Sequence, residues 1–240
     1  MNLTIDIGNT RTKLALFQEG RLLEKWIQDS LDISFIENCA YNHPIQKVIL
    51  SSVASPSTEA TDWLRDRFQF LELSTETPLP IRNHYRSPQT LGKDRLAAVV
   101  GAFHLFPRQN CMVIDAGSCI TYDLLQGSGD YWGGNISPGL DMRLKAMHQQ
   151  TARLPLVPRV EPEQLLGYNT ESALQNGALL GAAYEMEGFI AASETLYGKI
   201  TTVLTGGDAI FFEKHLKRQI FVNQNLVLIG LNKILDYNAS

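Results

Sequence analysis

Two short stretches of the chain carry almost the same order of residue types. Ile5-Asp6-Ile7-Gly8-Asn9-Thr10-Arg11-Thr12 runs apolar, Asp, any, Gly, polar, any, any, Thr, and Ile114-Asp115-Ala116-Gly117-Ser118-Cys119-Ile120-Thr121 repeats it. Each follows one apolar run and precedes another, the pattern of a strand, a tight glycine turn and a second strand. In the first copy Gly8 permits the positive φ of a tight turn. The turn amides, with the side chains of Asn9 and Thr10, can hydrogen-bond phosphate oxygens. Lys13 adds a positive charge for the same group. Asp6, at the end of a buried strand, suits Mg2+ or its waters. In the second copy Ser118 and Thr121 offer hydroxyls to phosphate and Asp115 offers a carboxylate to a cation. Asp123 shares a strand face with Thr121 and either joins them or pairs locally across the sheet. The plain alternative is an Asn-containing hairpin with Asp6 held by turn amides. The second copy favours the phosphate reading, because two unrelated turns rarely match so closely.

Three further segments could carry chemistry. Leu91-Gly92-Lys93-Asp94-Arg95 opens a helix. Asp94 there is either a first-turn acid satisfying the helix dipole or a base that deprotonates a hydroxyl while Arg95 binds a carboxylate. Gly133-Gly134-Asn135-Ile136-Ser137-Pro138-Gly139 carries three glycines around a strand end, either for close approach of a ligand or for a bulge and a helix entry. Thr205-Gly206-Gly207-Asp208 follows a strand and precedes a helix, which suits a nucleotide base or ribose lying over the backbone. The sequence holds no GxxxxGK[ST] or GxGxxG phosphate loop, no HExxH and no GxSxG elbow, which argues against a P-loop or dinucleotide enzyme.

The elements that must position these residues follow from periodicity. Leu3–Ile7, Lys13–Phe17 and Leu22–Ile27 read as consecutive antiparallel strands with turns at Gly8-Asn9 and Glu19-Gly20. Ile33–Ala40 is a short helix, residues 46–53 a buried strand, Ser57 the cap of a helix through Arg67, and Phe68–Leu73 a further strand. Leu91–Phe106 is helical. From Met112 the order repeats. Met112–Ile114, Ile120–Leu125 and Tyr131–Ser137 form a second meander, with helices at Leu140–Thr151 and Thr170–Leu196, a strand at Ile200–Leu204 and a closing helix at Asn225–Tyr237. Gly177 and Gly181, four apart on the long helix, allow close helix approach. Such a repeat is that of a whole domain. It divides the chain at the polar, Pro-containing 107–110 segment into an N-terminal domain, 1–108, and a C-terminal domain, 109–240.

Composition narrows the class. The 240 residues carry a formal net charge of -4 with both signs interspersed, so the clustered basic face of a nucleic-acid binder is missing. The nearest basic run, Lys214-His215-Leu216-Lys217-Arg218, reads as the solvated end of a helix. Three widely spaced cysteines show no metal spacing and read as small buried hydrophobes of a reducing compartment. With no signal segment and no membrane-length apolar run, a cytoplasmic protein without nucleic-acid or membrane partners is expected.

In chain order, Asp6-Ile7-Gly8-Asn9-Thr10, Leu91-Gly92-Lys93-Asp94-Arg95, Asp115-Ala116-Gly117-Ser118, Gly133–Gly139 and Thr205-Gly206-Gly207 resemble the motifs of type III pantothenate kinases. That family belongs to the superfamily of actin, sugar kinases and acetate kinase. The resemblance runs from Asn2 to the region of Leu235, and the ordered set is specific where any one motif is weak. It implies an α/β fold of two tandem actin-like (ribonuclease H-like) domains, each a mixed sheet with a three-stranded antiparallel meander flanked by helices. It also implies ATP-dependent phosphorylation of pantothenate to 4'-phosphopantothenate, the first step toward coenzyme A.

By the same resemblance, Asp6, Ile7, Gly8, Asn9, Thr10, Arg11, Thr12 and Lys13 would hold ATP phosphates together with Ser118, Gly206 and Gly207. Asp94 would be the base. Tyr85, Gly92, Lys93, Asp94, Arg95 and Thr170 would line the pantothenate pocket, with Thr170 at a homodimer interface. Asp6 would hold Mg2+, directly or through water, and Asp115 a monovalent cation, K+ or NH4+. Ser118 stands where the family usually has Thr, which keeps the hydroxyl and loses a methyl. The loops after Gly127 and near the C-terminus are compact for the family. A kinase for another small hydroxy acid or sugar on the same fold, a polyphosphate phosphatase, or a non-enzymatic nucleotide-binding regulator are the competing functions.

Overall fold

A computed structural model of the chain describes residues 1–53 and 58–239. Ser57, expected to cap a helix, lies outside them. The chain forms two compact units. The first comprises Met1–Arg108, Gly127–Trp132 and the C-terminal stretch from Asn225; the second comprises Gln109–Gln126 and Gly133–Gln224.

In the first unit, β1 (Asn2–Ile7), β2 (Thr12–Gln18) and β3 (Arg21–Gln28) form an antiparallel meander. The β2–β3 turn has Glu19 at φ 50° and Gly20 at φ 78°, the two left-handed residues that a two-residue hairpin matched to strand twist requires. β4 (Lys47–Ser52) lies parallel to β1, and β5 (Gln69–Glu72) parallel to β4, giving the order β3-β2-β1-β4-β5. Parallel neighbours need crossovers. These are α1 (Ile33–Asn42), whose N-cap Asp32 accepts from the Ser34 amide at 2.9 Å, and α2 (Thr58–Arg67).

Strand alternation sends Leu3, Ile5, Leu14, Val48 and Leu50 to one face, where they pack with Ile36 of α1 and Leu64 of α2. Ala15 and Phe17 face the other way and meet Leu228 of the C-terminal helix α7 (Leu226–Asn238). α7 also packs along α3 (Lys93–Leu105). The two helices approach so closely that a Cβ on Gly230 would fall 1.7 Å from the Ala97 carbonyl oxygen, and one on Gly101 would fall 2.4 Å from that of Leu226. A two-residue strand, β6 (Arg82–Asn83), pairs in parallel with Asp130 and Tyr131.

The second unit repeats the plan. β7 (Cys111–Ala116), β8 (Cys119–Leu125) and β9 (Asp130–Pro138) follow one another as a meander, the first three residues of β9 being grouped with the first unit. β10 (Thr201–Thr205) runs parallel to β7 and β11 (Ile220–Val222) parallel to β10, so the order β11-β10-β7-β8-β9 reproduces β5-β4-β1-β2-β3. The helices are α4 (Leu140–Gln149), α5 (Thr170–Tyr197) and α6 (Ala209–His215). α5 starts at a reciprocal capping box between Asn169 and Ser172. It buries Leu174, Ala178, Leu179, Ala182, Ala183, Met186 and Ile190, a continuous helical stripe, against Met112, Ile114, Ile120 and Tyr122 of the sheet. Glu185 on its flank accepts from Tyr122 at 2.8 Å and Ser137 at 2.5 Å and pairs with Arg143 at 2.7 Å.

Among the described residues no helix is long and apolar enough to cross a membrane. The cysteines are free; Cys39 and Cys111 are buried and Cys119 half-buried. The basic run at the end of α6 is less solvated than expected, since Arg218 pairs with Glu187 and Glu194 of α5.

Candidate active site

In the first unit the site grows from the end of β1. Asp6, next to last in the strand, stands opposite Lys13 on β2 and opposite Ser51 on β4. It is only 6% exposed. Burial lifts its pKa from 3.8 to about 6, Asp94 adds to the rise, and Lys13 and Ser51 oppose it. The Ser51 hydroxyl is fully buried and has no well-aligned hydrogen-bond partner among the described residues. Ser51 was not singled out in the sequence. Its signal lay in the parallel register of the strand after α1, which places it beside Asp6.

The turn after Asp6 departs from expectation in one respect. Gly8 is not in the left-handed region. Its amide donates to the Arg11 carbonyl at 3.0 Å, and a Cβ there would stand 3.2 Å from the same oxygen, so tight closure favours glycine. Asn9 and Thr10 are exposed at the tip. Arg11 pairs on the surface with Asp29 at 2.6 Å. Thr12 is buried in β2, and Ile7 packs at the border of the core.

Asp94 sits in the first turn of α3, and its Oδ1 accepts from the Arg95 amide at 2.8 Å. The N-cap Gly92 makes room for that carboxylate, since a Cβ there would lie 2.4 Å from Asp94 Oδ1. Lys93 is half-buried. Arg95 is 5% exposed, with its guanidinium carbon 5.8 Å from the centre of the Tyr85 ring. Tyr85 is fixed in turn by its amide, which donates to Asn83 Oδ1 at 3.0 Å. The first unit thus gathers Asp6, Lys13 and Asp94 into one electrostatic group, and Arg95 and Tyr85 into a cation–π pair.

In the second unit Asp115 occupies on β7 the place Asp6 holds on β1. It stands opposite Thr121 on β8 and Thr205 on β10, where Asp6 faces Lys13 and Ser51. The repeated carboxylate therefore has a hydroxyl where the first has a cation. Gly206, at φ +95°, turns back over the end of β7, and the Asp208 amide donates to the Ala116 carbonyl at 2.9 Å. Gly207 is exposed beside it. Asp208 is held by Arg159 at 2.5 Å, a contact the sequence did not signal. Ser118 is exposed at the turn tip.

Two of the glycines of residues 133–139, Gly134 and Gly139, serve the chain itself. A Cβ on Gly134 would overlap the Tyr122 carbonyl oxygen at 1.7 Å, and one on Gly139 would lie 2.3 Å from the Gly117 carbonyl oxygen. Asp123 is fully buried. Thr170 is exposed as the first residue of α5, and Gly177 and Gly181 have no atom of the chain within 4 Å of a built Cβ.

No group of three His, Cys, Asp or Glu side chains able to hold a metal occurs among the described residues. Asp6 offers one carboxylate beside the Ser51 hydroxyl, and Asp115 one carboxylate between two threonine hydroxyls. Such donors are hard oxygens, suited to a cation that keeps water or substrate oxygens in its shell.

Comparison with known proteins finds relatives over nearly the whole chain. The family model for type III pantothenate kinase matches residues 2–192. The type III pantothenate kinase of Phocaeicola vulgatus is 44% identical over 239 residues, 99% of each chain. That of Christiangramia forsetii is 43% identical over 242 residues, the whole of both. Among solved structures, the inorganic polyphosphate/ATP-glucomannokinase of Arthrobacter sp. strain KM aligns over 98% of both chains with a TM-score of 0.53 at 12% identity. The ADPNP-bound activator of 2-hydroxyisocaproyl-CoA dehydratase from Clostridium difficile aligns over 99% of this chain and 96% of its own, also at 0.53 and 12%. These distant likenesses speak for the fold alone, the actin-like α/β fold of two tandem domains. From the family match and the near-complete alignment to its members, the chain belongs to the type III pantothenate kinase family.

Proposed function

We infer that this chain transfers the γ-phosphoryl group of ATP to the hydroxyl of pantothenate, giving 4'-phosphopantothenate, with Asp94 as the base. The observation that carries this assignment is that Asp94 acts electrostatically on the buried Asp6, whose partner across the sheet is the half-buried Lys13. A hydroxyl-activating carboxylate belongs beside the groups that handle the transferred phosphate. Arg95, backed by Tyr85, binds the pantothenate carboxylate, so that binding energy at one end of the substrate positions the other. Gly92, Lys93 and Thr170 complete the substrate contacts.

Asp94 orients the hydroxyl and accepts its proton. In a loose transition state that proton leaves late, so orientation is the larger part of its task. Lys13 and the amides at the Asn9-Thr10 turn tip stabilise the charge that develops on the phosphate oxygens. Mg2+, held from Asp6 directly or through water, would supply charge neutralisation and alignment of the ATP phosphates. Ser118 and the backbone at Gly206 and Gly207 contact the nucleotide, and Asp115 with its flanking threonines takes a monovalent cation, K+ or NH4+. The chain acts as a cytoplasmic homodimer. The open space at Gly177 and Gly181, beyond the exposed Thr170, is the support for a second copy there.

The test is incubation with ATP, Mg2+ and pantothenate in potassium buffer, with mass detection of 4'-phosphopantothenate and a parallel panel of glucose, mannose and simple hydroxy acids. Product from pantothenate alone is expected. Phosphorylation of a sugar in its place would overturn the substrate assignment. Full activity with tetramethylammonium in place of potassium would overturn the cation assignment.

A further inference from the structure

The C-terminal ends of α3 and α7, both in the first unit, border a cavity of about 790 Å3. That volume is in the range of small-molecule sites. Its walls are largely apolar, with Phe103, Pro107 and Tyr237 among them. Phe103 is seated firmly: Gly129, at φ +88°, backs its ring so closely that a Cβ there would be 3.3 Å from Cζ.

Polar groups converge on the same space. Asp236 is engaged already, since its Oδ1 accepts from Asn2 at 2.8 Å. Lys233 lies 3.7 Å from Asp236 Oδ2, beyond hydrogen-bond length, so its donors are left for another acceptor. Arg108 makes no ion pair among the described residues, and its backbone is left-handed at φ 62°. That conformation is uncommon outside glycine and tends to be retained where a side chain has a task. His104 completes the rim; burial and the nearby Lys233 lower its pKa, against the pull of Asp236, so near neutral pH it offers hydrogen bonds in place of charge.

Two cations and one committed acid around an apolar wall are the complement of an apolar anion. We propose that this cavity binds a small amphipathic carboxylate, its flat apolar body against Phe103, Pro107 and Tyr237 and its carboxylate between Arg108 and Lys233. The site is separate from the kinase site. Asp94 and His104 lie ten residues apart on α3, about 15 Å along the helix, and no residue lining the cavity belongs to the candidate active site.

Titration calorimetry of 2-naphthoate into the full chain tests this, with 2-naphthamide as its uncharged twin. Saturable one-to-one binding of the acid is expected, with the amide at least about tenfold weaker. Arg108→Ala and Lys233→Ala should each weaken the acid by about tenfold, the loss of one charge-assisted contact. His104→Trp, which fills the cavity, should abolish binding, while Asp94→Asn should bind as wild type. Circular dichroism melts establish that each variant is folded. No saturable binding to the wild-type chain at millimolar ligand, equal affinity for acid and amide, indifference to both charge removals in folded variants, or loss of binding in Asp94→Asn would each overturn the site. The acid–amide comparison needs no variant and decides the matter even where a substitution fails to fold.

Discussion

The carboxylate of Asp115 occupies the space that any side chain on Gly206 would need: a Cβ there would stand 2.5 Å from Asp115 Oδ1 and 2.3 Å from the Ala116 carbonyl oxygen. Gly206 also has φ +95°. Two demands, one steric and one conformational, fall on the same residue.

Gly206→Ala should therefore destabilise the protein by about 2 kcal/mol or more, from left-handed strain and contact with backbone that cannot yield, a fall of about 5 °C in Tm at this chain length. It should also weaken ATP binding by displacing Asp115. Gly207→Ala, with open space around it and no left-handed φ, should shift Tm by no more than about 1–2 °C. Thermal melts with and without ATP compare the two. Equal effects would show that the fit of Gly206 over Asp115 does not matter.

Asp6 gives the protein a pH signature. Its folded pKa of about 6 lies above the unfolded value near 3.8, so the folded state holds the proton more tightly. Stabilisation from this group is full below about pH 4 and is lost as pH rises through 6, a total of about 3 kcal/mol. Asp6→Asn should accordingly be more stable than wild type at pH 8 in the absence of ATP and Mg2+, the two converging near pH 4. The same variant should lose activity. Denaturant melts across that range check the sign, and a wild type more stable at pH 8 than the variant would contradict it.

Asp94→Asn should lower kcat by about 10²- to 10⁴-fold, the range for loss of a general base. Because Asp94 raises the pKa of Asp6, the variant should also titrate Asp6 at lower pH, so that the stabilisation lost on raising the pH is lost earlier. A folded variant with wild-type kcat would remove Asp94 from the base role.

Arg95→Ala should raise KM for pantothenate at least about tenfold with little change in KM for ATP, since a buried bidentate donor is lost. Tyr85→Phe keeps the aromatic face under the guanidinium and should be near neutral, whereas Tyr85→Ala should move KM in the same direction as Arg95→Ala. Steady-state kinetics with each substrate varied in turn separates these effects. An unchanged KM for pantothenate in Arg95→Ala would reject the clamp.

Much of the architecture was legible because it rests on local pattern. The apolar alternation around Asp6 and Asp115 marked two meanders, and the glycine turns marked where their strands reverse. The short strands β6 and β11 leave no signal in the sequence. Two or three residues carry too little periodicity to show, and their pairing partners are distant in sequence. Residue type suggests a left-handed backbone at Gly8, because glycine so often supplies one. What selects glycine there is the approach of the Arg11 carbonyl, visible only once the turn is built. The glycines of residues 133–139 suit either a ligand or a bulge, and at Gly134 and Gly139 it is the carbonyls of Tyr122 and Gly117 that approach.

The sequence by itself determined the duplication, the two carboxylates at matching strand ends and the acid–arginine pair that opens α3, since residue type and spacing define all three. Tertiary structure alone decided that Asp6 faces Lys13 and Ser51 while Asp115 faces two threonines. It also decided that the C-terminal helix packs with the first unit, across glycines that admit the α3 backbone. The physical reason is the same in each case. Burial, register and backbone contact are set by residues far apart in the chain, and the shift in the acidity of Asp6 exists only after those residues have removed it from water.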